Sequence, residues 1–284
     1  MIEIKHKETR EILETVDAET LKGADLRDMR LAGADLAGLD LSGTRFQYAD
    51  LVGANFSGSN LQGAFFSGAH LNHATLTNAN LSEGKLGAEK RALAAMMNDC
   101  NLSNACLDRA DLRFVELRNA DLSGATLNHA DARDADFYLA NMTGVVAHRA
   151  LFIKTNLREA DLSEANLCDS HLNEANLIKA RLKNARMESC TESGFTVINL
   201  ANLEGADLSG AKMRNISAED TNLRHATLRG TDLSNAVMGG AILRSANVAG
   251  ANFSGVELAT VTMEFANFSQ ALNAKIPSYK VNLR

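Results

Sequence analysis

The chain has 284 residues, a formal charge of −6 and 45% apolar content, a mildly acidic profile with no general electrostatic pull toward nucleic acid or anionic membrane. Tryptophan is absent and Pro277 is the lone proline, which argues against a fold with many irregular connections. No apolar run reaches the roughly 18 residues of a membrane span, and no basic segment leads into an apolar one at the start, so neither a span nor a secretory leader is expected.

Residues 1–20 read as an N-terminal cap. Ile2-Glu3-Ile4-Lys5 alternates, 7–10 are polar and 12–16 are again apolar-rich, the pattern of a β-hairpin laid over the element that follows. From 21 to 272 a period of five takes over. Large apolar centres stand at every fifth position from Leu26 to Leu86, from Leu102 to Met187 and from Leu203 to Phe268; of these 45, only Ala132, Ala147, Ala218 and Val248 are not Leu, Phe or Met. Neither helical nor strand periodicity yields that spacing, so the chain must bend at each repeat. If each pentad forms one side of a polygon, the centre and the small residue two before it point inward. Ala24, Ala34, Ala54, Ala110, Ala165 and Ala251 occupy that small position, where an extra methylene would overpack the interior. Asp, Asn or Thr just before the centre, and Gly, Asn or an acid two after it, supply turn chemistry.

The period breaks twice. Leu86 and Leu102 are sixteen residues apart, which sets an interruption at 87–101. Ala88 to Met97 consists of strong helix formers, predicting a short helix near 87–99. A second register shift falls at 191–199, where Glu192 takes a centre position; an unpaired buried carboxylate is costly, so this segment is expected to bulge outward. Residues 273–284 leave the repeat but stay amphipathic, as a C-terminal cap or as the segment through which the chain forms a homodimer.

The motifs ADLRD at 24–28, ADLAG at 34–38, ANFSG at 54–58, ADLSG at 120–124 and 206–210 and ANFSG at 251–255 resemble the A-(D/N)-L-x-x signature of the pentapeptide-repeat family. The resemblance covers 21–272 and implies an all-β, right-handed quadrilateral β-helix with four pentads per coil, about twelve coils for this length at the usual strand spacing, a Leu/Phe ladder inside and Ala at the corners. On that geometry residues twenty apart stack in columns.

The four cysteines, Cys100, Cys106, Cys168 and Cys190, follow no tight metal or disulfide spacing and replace repeat residues, as free thiols of a reducing cytoplasm would. Stacking sets Asp108, Asn128, His148 and Cys168 in one column beside Arg109, His129, Arg149 and Asp169. The interleaved arginines argue against a cation there, so no metal, cofactor or catalytic residue is assigned. Hydroxyls and acids recur at nearly every outward position, and any Ser/His/Asp trio would arise by chance.

Large apolar residues at outward positions are more informative. Phe114, Tyr138, Leu139, Val146, Leu151 and Ile153 break the pattern within forty residues, Leu151 and Ile153 on the face of Phe114, Tyr138 and Leu139 on an adjacent one. Smaller groups pair Tyr48 with Phe65 and Ile242 with Phe265. Apolar clusters on a water-facing surface mark contacts. The sequence therefore points to a non-enzymatic protein–protein interaction scaffold in the cytoplasm, without direct binding to nucleic acid or membrane. The family also includes proteins that protect DNA gyrase from quinolones by resembling duplex DNA, which makes a DNA mimic binding a topoisomerase such as DNA gyrase the alternative. Against it, Arg113 falls in line with Arg133 and Arg224 with Arg244, where a mimic needs a dense stripe of acids.

Overall fold

The structure, a computed structural model, describes residues 1–190 and 194–283. It divides into two compact units, Met1–Met142 and Thr143–Arg284.

The first unit opens with β1 (Ile2–Lys5) and β2 (Ile12–Val16), paired antiparallel with Ile2 opposite Val16. The hairpin is joined to the coils by backbone bonds: Lys7 N–H donates to Gly33 O and Asp35 N–H to Lys5 O, both at 2.8 Å. Ile4 is buried between them. Beyond it the chain winds in a four-sided coil, because parallel bridges join residues 20 apart, Asp25 to Arg45, Asp35 to Asn55 and Asn101 to Asp121. Each bridge uses two backbone bonds, as where Leu26 N–H donates to Arg45 O at 2.8 Å and Arg45 N–H to Ala24 O at 2.9 Å.

Turn chemistry explains the corners. At the regular turns the residue two after the centre is left-handed, as at Gly53 (φ 65°), Asn78 (φ 58°) and Asp99 (φ 58°), where Gly, Asn and Asp cost least. The Asn or Asp before the centre closes the turn through its side chain, Asn55 Oδ1 accepting from Ser57 N–H and Asn80 Oδ1 from Ser82 N–H, both at 3.1 Å. The same side chains form ladders between coils: the Asn80 amide donates to Asn60 Oδ1 and the Asn60 amide to Asp40 Oδ1, each at 3.1 Å. Inside, Phe46 stacks on Phe66 at 5.0 Å between ring centroids and meets Phe56 edge-on. Where a hydroxyl replaces the inward Ala it is satisfied, as Thr44 Oγ1 donates to Leu21 O at 2.7 Å, which removes the penalty for a buried polar group.

Across the first interruption the bridge offset grows from 20 to 26, His70 pairing with Met96 and Thr75 with Asn101. Met97 is the next buried centre, so the interruption adds six residues and the repeat resumes one pentad before Leu102. The helix expected near 87–99 is instead a single 3₁₀ turn, Arg91–Leu93, with none of its residues buried. An isolated helix needs about 12–15 residues to hold in water, and the spare length here is far shorter.

In the second unit Val146 bridges Asn166 and Arg186 bridges Asn166 from the other side, again at 20, before His171 pairs with Val197 and Asn176 with Asn202 at 26. Ile198 is the next buried centre. Again six residues have been added, and the one-residue shift visible in the sequence is what six leaves over a period of five. Glu192 lies outside the described residues. Thr221 and Thr231 hydroxyls donate to Ile198 O at 3.0 Å and Leu208 O at 2.8 Å. The last bridge joins Asn252 to Leu272. A 3₁₀ segment, Ser278–Leu283, then folds back: Tyr279 OH donates to Ala259 O at 3.0 Å and Lys280 Nζ to Val261 O at 2.6 Å. Among the described residues no helix is long and apolar enough to cross a membrane.

This packing sets the cost of substitution. Leu182 and Ala180 are fully buried while Lys183 is exposed. Leu182→Ala is expected to lose about 2–5 kcal/mol to a cavity and Ala180→Leu about 1–3 kcal/mol to overpacking. Lys183→Ala should stay within about 0.5 kcal/mol of the parent, all read from urea unfolding midpoints.

Candidate functional site

The two excursions are where the chain assembles side chains that the repeat does not dictate. Among the described residues two carboxylates are buried, Asp136 and Asp169, and each anchors one excursion.

In the first unit the excursion leaves the coil at Gly87, where Gly87 N–H donates to Asp111 O at 2.8 Å and a methyl group would collide with the Arg113 backbone. It closes where Ala95 N–H donates to Leu86 O at 2.9 Å. Between these points Arg91 reaches down the face, its guanidinium donating to Asp134 O at 3.1 Å and lying 3.5 Å from Asp136 Oδ2 and 4.0 Å from Glu116. Arg118 Nε donates to the same Asp136 oxygen at 2.7 Å, and Asp136 Oδ1 accepts from Tyr138 N–H at 3.1 Å. The hydrogen bond from Arg118, then the opposite charge, holds the Arg118 guanidinium above its ordinary pKa. A groove of about 380 Å³ runs beside the excursion, lined by Gly68, His70, Arg91, Ala92, Ala94, Met96 and Glu116. Leu93 stands 44% exposed on the 3₁₀ turn.

In the second unit Asp169 takes the corresponding role. Its Oδ1 accepts from Cys190 N–H at 3.2 Å, Arg149 Nε lies 3.9 Å from its Oδ2, and Gly194 packs so close that a methyl group there would run into the carboxylate. Ser189 Oγ donates to Gly194 O at 2.5 Å. Cys168, fully buried, and Cys190 are joined by a disulfide with 5.6 Å between their Cα atoms. The expectation of four free thiols is therefore corrected for this pair: their 22-residue separation matches no stacking distance of the repeat, and only the excursion returns Cys190 to the column of Cys168. Cys100 and Cys106 are free, and burial pushes the Cys100 thiol up to about 12. His148 completes the group, its donor nitrogen and the two sulfurs all lying within 4.8 Å of one another. A second groove of about 380 Å³ is lined by Arg149, Leu151, Asp169, His171, Gly194 and Phe195, with Phe195 stacked on His171 at 6.4 Å and 53% exposed.

The apolar residues singled out from the sequence are distributed between the units. In the first, Phe114 and Tyr138 are half-buried and Leu139 is 45% exposed; Tyr138 O accepts from Asn119 N–H at 2.9 Å, which sets Tyr138 and Leu139 against the neighbouring coil beside Arg118. In the second, Val146, Leu151 and Ile153 are all half-buried, and of these Leu151 lines the groove. Phe114 and Leu139 occupy the left-handed corner, at φ 62° and 58°, a conformation that bulky side chains rarely adopt. Sequence reading marks the 87–99 segment as a candidate contact but not Arg91 or Leu93 within it, and it does not single out Asp136 or Phe195, since each acquires its surroundings from an excursion whose path the period does not specify.

Charge on the stacked faces is locally compensated. The Arg113 and Arg133 guanidiniums pair with Asp111 at 2.7 Å and Asp131 at 2.6 Å, and Arg27 pairs with Asp25 at 2.6 Å. Asp131 is pushed up by partial burial, but the hydrogen bonds from Arg133 outweigh that and lower it below the ordinary carboxylate value.

The family model described as pentapeptide repeats matches eight copies, at residues 20–47, 49–86, 105–144, 150–188, 201–240 and 238–272. Both excursions fall in the unmatched gaps. Among solved structures, HetL, a pentapeptide repeat protein involved in heterocyst differentiation regulation in the cyanobacterium Nostoc sp. strain PCC 7120, is 28% identical, with a TM-score of 0.58 over 80% of this chain and 86% of HetL. A pentapeptide repeat protein of the Arabidopsis thaliana thylakoid lumen is 27% identical over 41% of this chain and 63% of its own, at a TM-score of 0.25. QnrB1, a plasmid-mediated fluoroquinolone resistance protein, is 18% identical over 74% of this chain and 83% of its own, at a TM-score of 0.24. No curated protein matches the chain. The fold that the likeness to HetL carries is the right-handed quadrilateral β-helix.

The Arg91 contacts generate a local prediction. Its side chain is 46% exposed, so its ion pairs are worth only about 0–1 kcal/mol. Arg91→Ala should leave the melting temperature nearly unchanged while hydrogen exchange at 88–94 speeds up, because that side chain is what ties the turn to the face.

Proposed function

Because the chain belongs to the pentapeptide-repeat family, we propose that it is a non-enzymatic scaffold that binds a protein partner through the residues departing from its repeat. The observation that carries this reading is the choice of side chain at the corners. A left-handed residue costs least as Gly, Asn or Asp, yet Phe114 and Leu139 stand there. That choice gives up backbone stability for outward apolar area. Local strain of this kind collects at functional surfaces, and exposed apolar groups gain most when a partner covers them. The contact residues are Phe114, Tyr138 and Leu139 in the first unit and, taken by themselves, Val146, Leu151 and Ile153 in the second. HetL, with its part in heterocyst differentiation regulation, is a relative whose role is regulatory. The same reading puts the protein in the cytoplasm, where reduction opens the Cys168–Cys190 disulfide, and gives the segment from 273 onward to contact with a second copy.

The corner geometry separates binding from folding. Phe114→Asn and Leu139→Asn place residues that tolerate the left-handed corner, so the melting temperature should hold or rise, while recovery of protein partners by the double variant in quantitative affinity capture should fall about tenfold or more. Equal recovery would remove Phe114 and Leu139 from the proposal.

Mimicry of DNA toward a topoisomerase has the opposite charge requirement, since it needs uncompensated acids in line. Asp25, Asp111 and Asp131 are each clamped by an arginine. DNA gyrase supercoiling is therefore expected to proceed unaltered in the presence of the protein, and inhibition at stoichiometric amounts would favour the mimic instead.

A further inference from the structure

We propose that His148, Cys168 and Cys190 form a binding site for one thiophilic divalent cation, of which zinc is the fitting example, whenever the Cys168–Cys190 disulfide is reduced. Three ligands of the two types that zinc prefers, one imidazole nitrogen and two sulfurs, converge from distant points of the chain. His148 and Cys168 are brought together by stacking, since Val146 bridges Asn166 and Arg149 N–H donates to Cys168 O at 3.1 Å. Cys190 arrives from the excursion, its backbone held by Asp169 at 3.2 Å.

The geometry is close to what a tetrahedral ion needs. All three donor atoms lie within 4.8 Å of one another, whereas zinc with sulfur at about 2.3 Å and nitrogen at about 2.0 Å spaces its ligands by roughly 3.5 Å. Opening the disulfide frees Cys190, which is exposed and sits on a loop, to adjust by that margin. Two thiolates and a neutral imidazole match a divalent charge, and solvent reaching exposed Cys190 supplies the fourth ligand. The interleaved arginine does not oppose the ion: the Arg149 guanidinium is turned onto Asp169 at 3.9 Å, and that carboxylate holds the main-chain N–H of Cys190 at 3.2 Å. Arg186 lies 3.9 Å from Cys190 Sγ and complements the negative charge of a thiolate there.

The chemistry balances in two steps. A thiol reductant transfers two electrons and two protons to the disulfide and leaves as its own disulfide. The cation then displaces both thiol protons to solvent and bonds to the two sulfurs and the imidazole nitrogen. While the disulfide stands neither sulfur is available as a thiolate, so the oxidised chain has no site.

The test is a titration of the full chain with Co²⁺ after reduction by a phosphine. One equivalent should bind, giving thiolate-to-cobalt charge-transfer and tetrahedral ligand-field absorption that Zn²⁺ displaces. The unreduced protein should show neither. Cys190→Ser should abolish the bands, His148→Gln should weaken binding about tenfold or more, and Cys106→Ser should leave it intact. In the reduced parent, Zn²⁺ should also slow alkylation of Cys190 by iodoacetamide, a readout that does not depend on any variant folding. Absence of the bands from the reduced parent, their survival in Cys190→Ser, or alkylation of Cys190 at an unchanged rate would each overturn the proposal.

Discussion

The backbone hydrogen bond from one coil to the next is what the remaining structure depends on. Leu26 N–H meeting Arg45 O, and Arg45 N–H meeting Ala24 O, hold each pentad above the one four repeats earlier. Once that offset is set, side chains at one position of the repeat become neighbours in space whatever their identity. The amide ladder through Asp40, Asn60 and Asn80 and the stacked rings of Phe46 and Phe66 both follow from it. So does the preference for Ala two residues before each centre, where space between coils is limited; larger side chains enter there at a few places, as where Val145 and Ile216 are buried beside the small centres Ala147 and Ala218.

The same ladder disciplines the excursions. A chain that leaves a coil has to re-enter where its backbone groups again find partners, since unpaired buried N–H and C=O groups cost too much to persist. Both excursions add six residues, which changes the bridge offset to 26 and then lets it return to 20. The core ladder continues through Met97 and Ile198 as if nothing had been inserted. What is inserted is free of the repeat's demands and can carry polar contacts of its own. In each unit a buried carboxylate supplies the anchor, Asp136 taking Arg91 and Arg118, Asp169 taking the Cys190 backbone and Arg149.

The corners pose a different trade. Left-handed backbone recurs at the regular turns, and glycine or asparagine would satisfy it at least cost, so Phe114 and Leu139 represent stability given up. A rigid scaffold can give it up, because stability here is spread over many nearest-neighbour interfaces between coils. Surface apolar residues placed in this way keep a fixed spacing, and a partner that meets them has little ordering cost to overcome.

The period of five, the inward Leu and Ala, the turn-forming Asp, Asn and Gly and the hairpin-like alternation of Ile2 to Lys5 are all properties of local order, and the sequence alone determined them. It also determined that register is lost twice by one residue, but a period defines position only modulo five, so it could not distinguish one extra residue from six. Where the repeat resumes, at Met97 and at Ile198, was decided by the backbone ladder. The run of helix formers from Ala88 to Met97 indicated a helix, and the short distance between two tied ends reduced it to one 3₁₀ turn. Cys168 and Cys190 show the limit most clearly: neither period nor spacing relates them, and they meet with His148 because an excursion folds back across a column that stacking had already built.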